Sequence, residues 1–232
     1  MKQKETLLNS AGIDLNQAID DIGDEHISSS YDTPLREDAF EMDDDLKMEL
    51  IEKHFKEIMH ILGMDLKDDS LKGTPKRVAK MFVKEVFSGL DQKNKPDIKL
   101  FENKYKYSEM LVEKDITFFS HCEHHFVPIY GKAHVAYISN GNVIGLSKIN
   151  RIVQYFAKRP QVQERLTVQI GNELKNALGT DDVAVIMDAD HMCVSSRGVN
   201  DTSSSTVTSF YSGQFEHDQK RNEFLKYISL SR

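Results

Sequence analysis

Cysteine is scarce: Cys122 and Cys193 are the only two in 232 residues. Two thiols cannot build the disulfide framework of a small secreted domain, and a chain of this length can bury a core without one. No stretch approaches the ~20 apolar residues of a membrane helix. The start, MKQKETLLNS, lacks the apolar run and small-residue cleavage site of a secretory leader. A reducing, cytoplasmic setting is the expectation, with no membrane partner. Positive charge is in deficit: 30 Lys and Arg face 37 Asp and Glu, for a net charge of −7. Nucleic-acid binders usually carry a basic stripe, so this balance argues against one, although a pocket could still be locally basic. Common nucleotide and metal fingerprints are missing too. GTPKR at 73–77 is not a P-loop, and neither G-x-G-x-x-G nor H-E-x-x-H occurs.

What is present falls into three stretches. Residues 1–44 are rich in Asp, Glu and Ser with few apolar anchors, and read as a flexible acidic arm with a short helix possible near Ile13 to Ile22. The arm is either a passive tail or an element of regulation or assembly. Residues 45–104 begin with apolar positions spaced mostly by three and four, from Leu46 to Leu62, which predicts an amphipathic helix stopped at Gly63. TPKRVAKMFVKEVFSGL predicts a second helix, capped by Thr74, with Pro75 in its first turn and Gly89 at its end.

From residue 105 to 232 the period shortens. YSEMLVEKDITFFS and FVPIYGKAHVAYIS predict two strands, and Asn140-Gly141 marks a turn. SKINRIVQYFAKR and VQERLTVQIGNELKNALG predict two helices, the second ending at Gly179. DVAVIMDADHMCVSS and SSSTVTSFYSG predict two more strands, and EHDQKRNEFLKYI a closing helix. The class is α+β: a mostly antiparallel four-stranded sheet with helices on one face and edges that invite self-association.

Polar chemistry gathers in two runs, Ser120 to His125 and Asp188 to Cys193. Cys122 and His125 have a C-x2-H spacing that one turn can aim at a single ion. On a strand, His191 and Cys193 would share a face. Zinc takes thiolate and imidazole in tetrahedral geometry. Held by Cys122, His125 and Cys193, it would keep one position for a water made acidic enough to attack near neutral pH. His124 and His191 would then serve as acid–base groups, with Glu123 orienting one of them. A disulfide and inert core thiols are the competing readings. So is a closed structural zinc site that recruits His124 or His191 as fourth ligand.

Scattered cations could form a polyanion site beside the metal: Lys76, Arg77 and Lys80 on one helix, Lys148 and Arg151 on another, and Arg197 after the metal run. Ser147 would cap the helix of Lys148, whose N-terminal N–H groups suit a phosphate. Any one of these pairs could equally be a solvated helix face. Glu164, opening a helix, could accept two N–H bonds from a guanine edge, or simply favour the helix dipole.

GTPKRVAKM (73–81), CEHHF (122–126), GKAHVAYI (131–138), VIGLSKINRIV (143–153), RPQVQERLT (159–167), HMCVSSRG (191–198) and the tail TSSSTVTS with Phe224-Leu225 closely resemble the GTP cyclohydrolase I family of the folate pathway. The resemblance runs from about residue 50 to the end. It implies one zinc on Cys122, His125 and Cys193, and catalytic His124 and His191. It implies guanine recognition by Glu164, aided by Gln163 and by the backbone and hydroxyl near Ser147. It further implies triphosphate contacts from Lys148, Arg151 and Arg197, and from Arg77 of a neighbouring subunit. The implied fold is the tunnelling fold (T-fold), a β-β-α-α-β-β unit over 105–232 preceded by the helical region, in a homodecamer of two pentamers with active sites between subunits. The implied reaction opens the imidazole ring of GTP, releasing formate and forming 7,8-dihydroneopterin triphosphate. Two other readings stand beside it. One is a nitrile-reducing relative with a free cysteine nucleophile. The other is a non-catalytic zinc-stabilised binding protein.

Overall fold

Four antiparallel strands build the centre of the molecule, and the second half of the first of them alternates strictly. In the computed structural model, which describes residues 30–230, β2 (Met110–Cys122) buries Ile116, Phe118, Ser120 and Cys122 and exposes Thr117 and Phe119 between them. Its neighbour β3 (Pro128–Ile138) runs antiparallel to it. The chain divides into two units, Met1–Tyr31 and Asp32–Arg232, and the elements that follow belong to the second. The short helix expected near Ile13 to Ile22 and most of the acidic arm lie outside the described residues.

The principal sheet has the order β5-β2-β3-β6-β7. β6 (Val183–His191) pairs antiparallel with β3, and β7 (Thr206–Tyr211) antiparallel with β6. The four expected antiparallel strands are joined by one more, the two-residue β5 (Pro160–Gln161), which lies parallel to the end of β2. A separate pair is made by β1 (Leu100–Glu102) and β4 (Asn142–Ile144).

One sheet face contributes Val135, Tyr137, Val183, Val185 and Met187 to a core that also holds Ile152, Leu166, Ile170 and Leu174. These last belong to α3 (Leu146–Ala157) and α4 (Gln163–Leu178). Helices pack on both faces of the sheet, not on one as the sequence predicts. The alternate residues Ala136, Ile138, Ala184 and Ile186 pack with Phe215 and with Phe224 of the closing helix, Asp218–Ser229. Small side chains at 136 and 184 leave room on the opposite face for those two phenyl rings.

The first helix, α1 (Asp44–Ile61), starts where Asp43 accepts a bond from the Leu46 amide at 2.8 Å and two aspartates fill the first turn. It ends at Gly63, at φ 80°, with Gly63 N–H on the His60 carbonyl and Met64 N–H on that of Met59. This paired capping pattern needs a left-handed residue, which glycine supplies without strain.

The expected second helix is broken into three geometries. α2 (Thr74–Lys80) widens into a π-helical stretch, Met81–Val86, and ends in a 3-10 turn, Ser88–Leu90. Thr74 is the first helical residue rather than the cap, which falls on Gly73 without a side-chain bond. On an α-helix Phe82 and Phe87 would point ~140° apart. The wider turn, closed by Phe87 N–H on the Phe82 carbonyl, instead sets both rings against Phe126, with centroids 6.4 and 5.2 Å away. Among the described residues no helix is long and apolar enough to cross a membrane.

Candidate functional site

Two chain segments meet where β2 and β6 end, on either side of β3. The turn after β2 is closed by Cys122 N–H on the Val127 carbonyl, 2.9 Å, and Phe126 N–H on the Cys122 carbonyl, 2.8 Å. Phe126 adopts φ 55° to complete it. Cys122 is buried at the strand end, while His124 and His125 are exposed beyond it.

β6 stops at His191. The next residues form a single helical turn, α5 (Met192–Ser195), held by Ser196 N–H on the Met192 carbonyl. Cys193 therefore does not share a strand face with His191. The helical turn sends the two side chains apart, Cys193 toward Cys122 and His191 toward α4. One donor atom from each of Cys122, His125 and Cys193 lies within 4.8 Å of the others. Cys122 Sγ also stands 3.6 Å from His124 Nδ1 and 3.8 Å from His125 Nδ1.

Both thiols are free. Burial pushes the Cys193 thiol up from its ordinary value, and the adjacent Cys122 pushes it further. Two crowded sulfurs that resist ionising together, with an imidazole beside them, fit a soft divalent cation, which would neutralise both thiolates. The trio can hold a metal ion.

His191 is placed by α4. Its Nε2 is 2.7 Å from Gln163 Oε1. Gln163 is 1% exposed, and its amide nitrogen donates to the carbonyls of Met187 and Thr206 and to Thr208 Oγ1. Carbonyls only accept, so they fix the amide with its oxygen toward His191, and His191 Nε2 must donate. Burial pushes the His191 pKa down, and the carboxylates of Glu164 and Asp190 pull it back up. Glu164 itself is exposed in the first turn of α4.

The cations are less assembled. Arg197 Nη1 lies 2.7 Å from His125 Nε2, beside the trio. Lys148 donates to the Asp97 carbonyl, and Arg77 and Arg151 are exposed on α2 and α3. Ser147 does not cap α3. That position is Gly145, with no side-chain bond, because the helix begins two residues earlier than the serine requires.

Sequence reasoning missed Arg165. Its side chain is 3% exposed and grips Glu123 from α4. A cation within the buried stripe Leu166, Gln169, Ile170 was the available signal, with a lone carboxylate in the C-E-H-H run as its partner.

The GTP cyclohydrolase I family model matches residues 51–229. A "GTP cyclohydrolase 1" of Flavobacterium johnsoniae is 62% identical over 212 residues, covering 91% of this chain and 95% of that protein. Proteins of the same name from Citrobacter koseri and Escherichia coli K12 are 54% and 55% identical over 203 residues, each covering 87% of this chain and 91% of the relative. With most of its length matched at such identity, the chain belongs to the GTP cyclohydrolase I family.

Proposed function

We propose that this chain is a zinc-dependent GTP cyclohydrolase that opens the imidazole ring of GTP, releases formate and forms 7,8-dihydroneopterin triphosphate, the first step of tetrahydrofolate biosynthesis. The observation that carries the reading is the convergence of Cys122, His125 and Cys193 within 4.8 Å, with two further histidines beside them, in a chain of this family.

Bound by Cys122, His125 and Cys193, zinc supplies Lewis acidity and water acidified into the neutral range. Glu164 accepts the N1 and exocyclic N–H groups of guanine, which fixes the base with C8 toward the donor trio. Gln163 takes part in this site with its side chain spent on holding His191. Nε2 of His191 is occupied by Gln163, so Nδ1 is left for the substrate, and the doubly protonated ring gives its Nδ1 proton to N7 as negative charge develops there. One water adds to C8, the C8–N9 bond breaks to give a formamide, and a second water releases formate. His124 carries protons between these steps. The ribose opens, rearranges and recloses with loss of water, so one water is consumed overall.

Lys148, Arg151, Arg197 and Arg77 anchor the triphosphate, whose binding energy positions a distant reacting carbon. Arg77 acts from a neighbouring subunit. The β2-β3-α3-α4-β6-β7 order supports reading residues 105–232 as a tunnelling fold after a helical region at 45–104, and its open edge strand β7 supports assembly, as a decamer of two pentamers with sites between subunits. The enzyme works in the cytoplasm.

The separate roles are tested by Cys193→Ser and His191→Ala. The first loses zinc and formate release together; the second loses turnover and keeps most of its zinc. Full zinc content in C193S would refute the ligand assignment.

A further inference from the structure

We infer that Arg165 is a positioning residue for the metal-donor turn, acting through Glu123, and that it locks this turn to the end of α4 that carries Glu164. The metal half of this inference rests on the donor trio. The link to Glu164 rests on the proposed function.

The contact is a two-pronged ion pair. Arg165 Nη1 and Nη2 reach different oxygens of Glu123, at 2.5 and 3.2 Å, across 42 residues of sequence. Arg165 is almost fully buried, and Glu123 is only 19% exposed. Charge-assisted pairs of this geometry fix direction as well as distance. Glu123 lies between Cys122 and His124 in the donor turn, and its own N–H is held by the Gln161 carbonyl at 3.1 Å. His124 and His125 are exposed, so packing does not locate them. Backbone bonds close the turn and Phe126 packs on Phe82 and Phe87; the pair at Glu123 is what ties it to α4.

The same helical turn holds the other donor segment. Gln163 binds His191 at 2.7 Å, two residues before Cys193. The 122–125 turn and the 191–193 run therefore hang on Gln163 and Arg165, with the exposed Glu164 between them. A metal site needs its donors in place to within ~0.5 Å. A group that binds Glu164 pulls on the residue between the two anchors.

Glu123→Gln removes the charge at constant size. Arg165→Lys keeps the charge and loses the planar fork. Zinc dissociation constants are read by competition with a chromophoric chelator, beside circular dichroism and the urea midpoint. Each variant is expected to weaken zinc about tenfold or more, the range for groups that orient ligands. The double variant should lose little beyond the worse single, because both act through one contact. As a control, Lys95→Gln removes the Lys95–Glu173 pair from the same helix and should leave zinc affinity unchanged. In zinc-saturated E123Q, a kcat loss larger than any rise in KM for GTP marks a misplaced centre rather than a weakened substrate site.

Zinc affinity of folded E123Q within twofold of the parent overturns the inference, and so do fully additive losses in the double variant. If R165K fails to fold, E123Q alone decides. If zinc weakens as expected but the parent never turns over GTP, the positioning role stands and the proposed function falls.

Discussion

Gln163 holds His191 through a side-chain bond of 2.7 Å while its own amide is fixed by two backbone carbonyls. The histidine is thereby oriented from beneath by a group that cannot turn around. Gln163→Ala leaves buried acceptors unsatisfied and frees the ring. The expected result is a fall in kcat of roughly ten- to a hundredfold with zinc content near the parent's. Metal analysis and steady-state kinetics on one preparation check it. Unchanged kcat would remove Gln163 from the positioning of His191.

Gly171 sits where α4 crosses β7. A Cβ there would come within 2.3 Å of the Phe210 ring. Helix propensity alone favours Gly171→Ala by about 1 kcal/mol. Overpacking against this half-buried ring costs about 1–3 kcal/mol, and this term should win. The variant is expected to unfold at lower urea, and an upward shift of the midpoint would show that Phe210 moves aside freely.

His134 links stability to pH. Burial pushes its pKa below the ordinary 6.5, with Asp115 and Asp188 pulling up and Lys114 and Lys132 pushing down. Its Nδ1 accepts the Asp115 amide at 3.2 Å, a bond the imidazolium cannot make. Below about pH 6.5 the unfolded chain binds the extra proton more readily than the native chain, so stability falls as pH falls. The contribution is fully present above 6.5 and is lost toward the lowered native value. Urea midpoints of the parent and of His134→Asn, compared at pH 7.5 and 5.5, should show a steeper acid loss in the parent. Equal losses would dismiss His134 as a contributor.

Much of this was legible in residue patterns, for identifiable reasons. β-Branched and aromatic runs with partial alternation located β2 and β3, and similar runs located β6 and β7, although β3 and β6 are buried on both faces over much of their length. Gly63 marked the end of α1 through chemistry local to that end, while the Asp43 cap at its start was not read. The clustering of Cys122, His125 and Cys193 was expected from their polar surroundings. What escaped depended on contacts distant in sequence. The π-helical widening at Met81–Val86 places Phe82 and Phe87 on Phe126, and no local signal marks that. The helical turn at Cys193 follows a strand whose composition does not announce its end. Thr74 and Ser147 looked like caps, yet both lie inside their helices. Arg165 reads as an ordinary helix cation until Glu123 is placed opposite it.

The central claim is that this Cys-His-Cys centre drives ring opening of GTP, and formate release tests it most directly. Zinc-loaded protein is incubated with GTP, and formate and the pterin absorbance are followed together. A parallel sample is stripped with a chelator and then resupplied with zinc. Formate and pterin should appear in equal amounts, vanish on stripping and return with zinc. Absence of both products from fully loaded protein, or formation undiminished by the chelator, would contradict the claim.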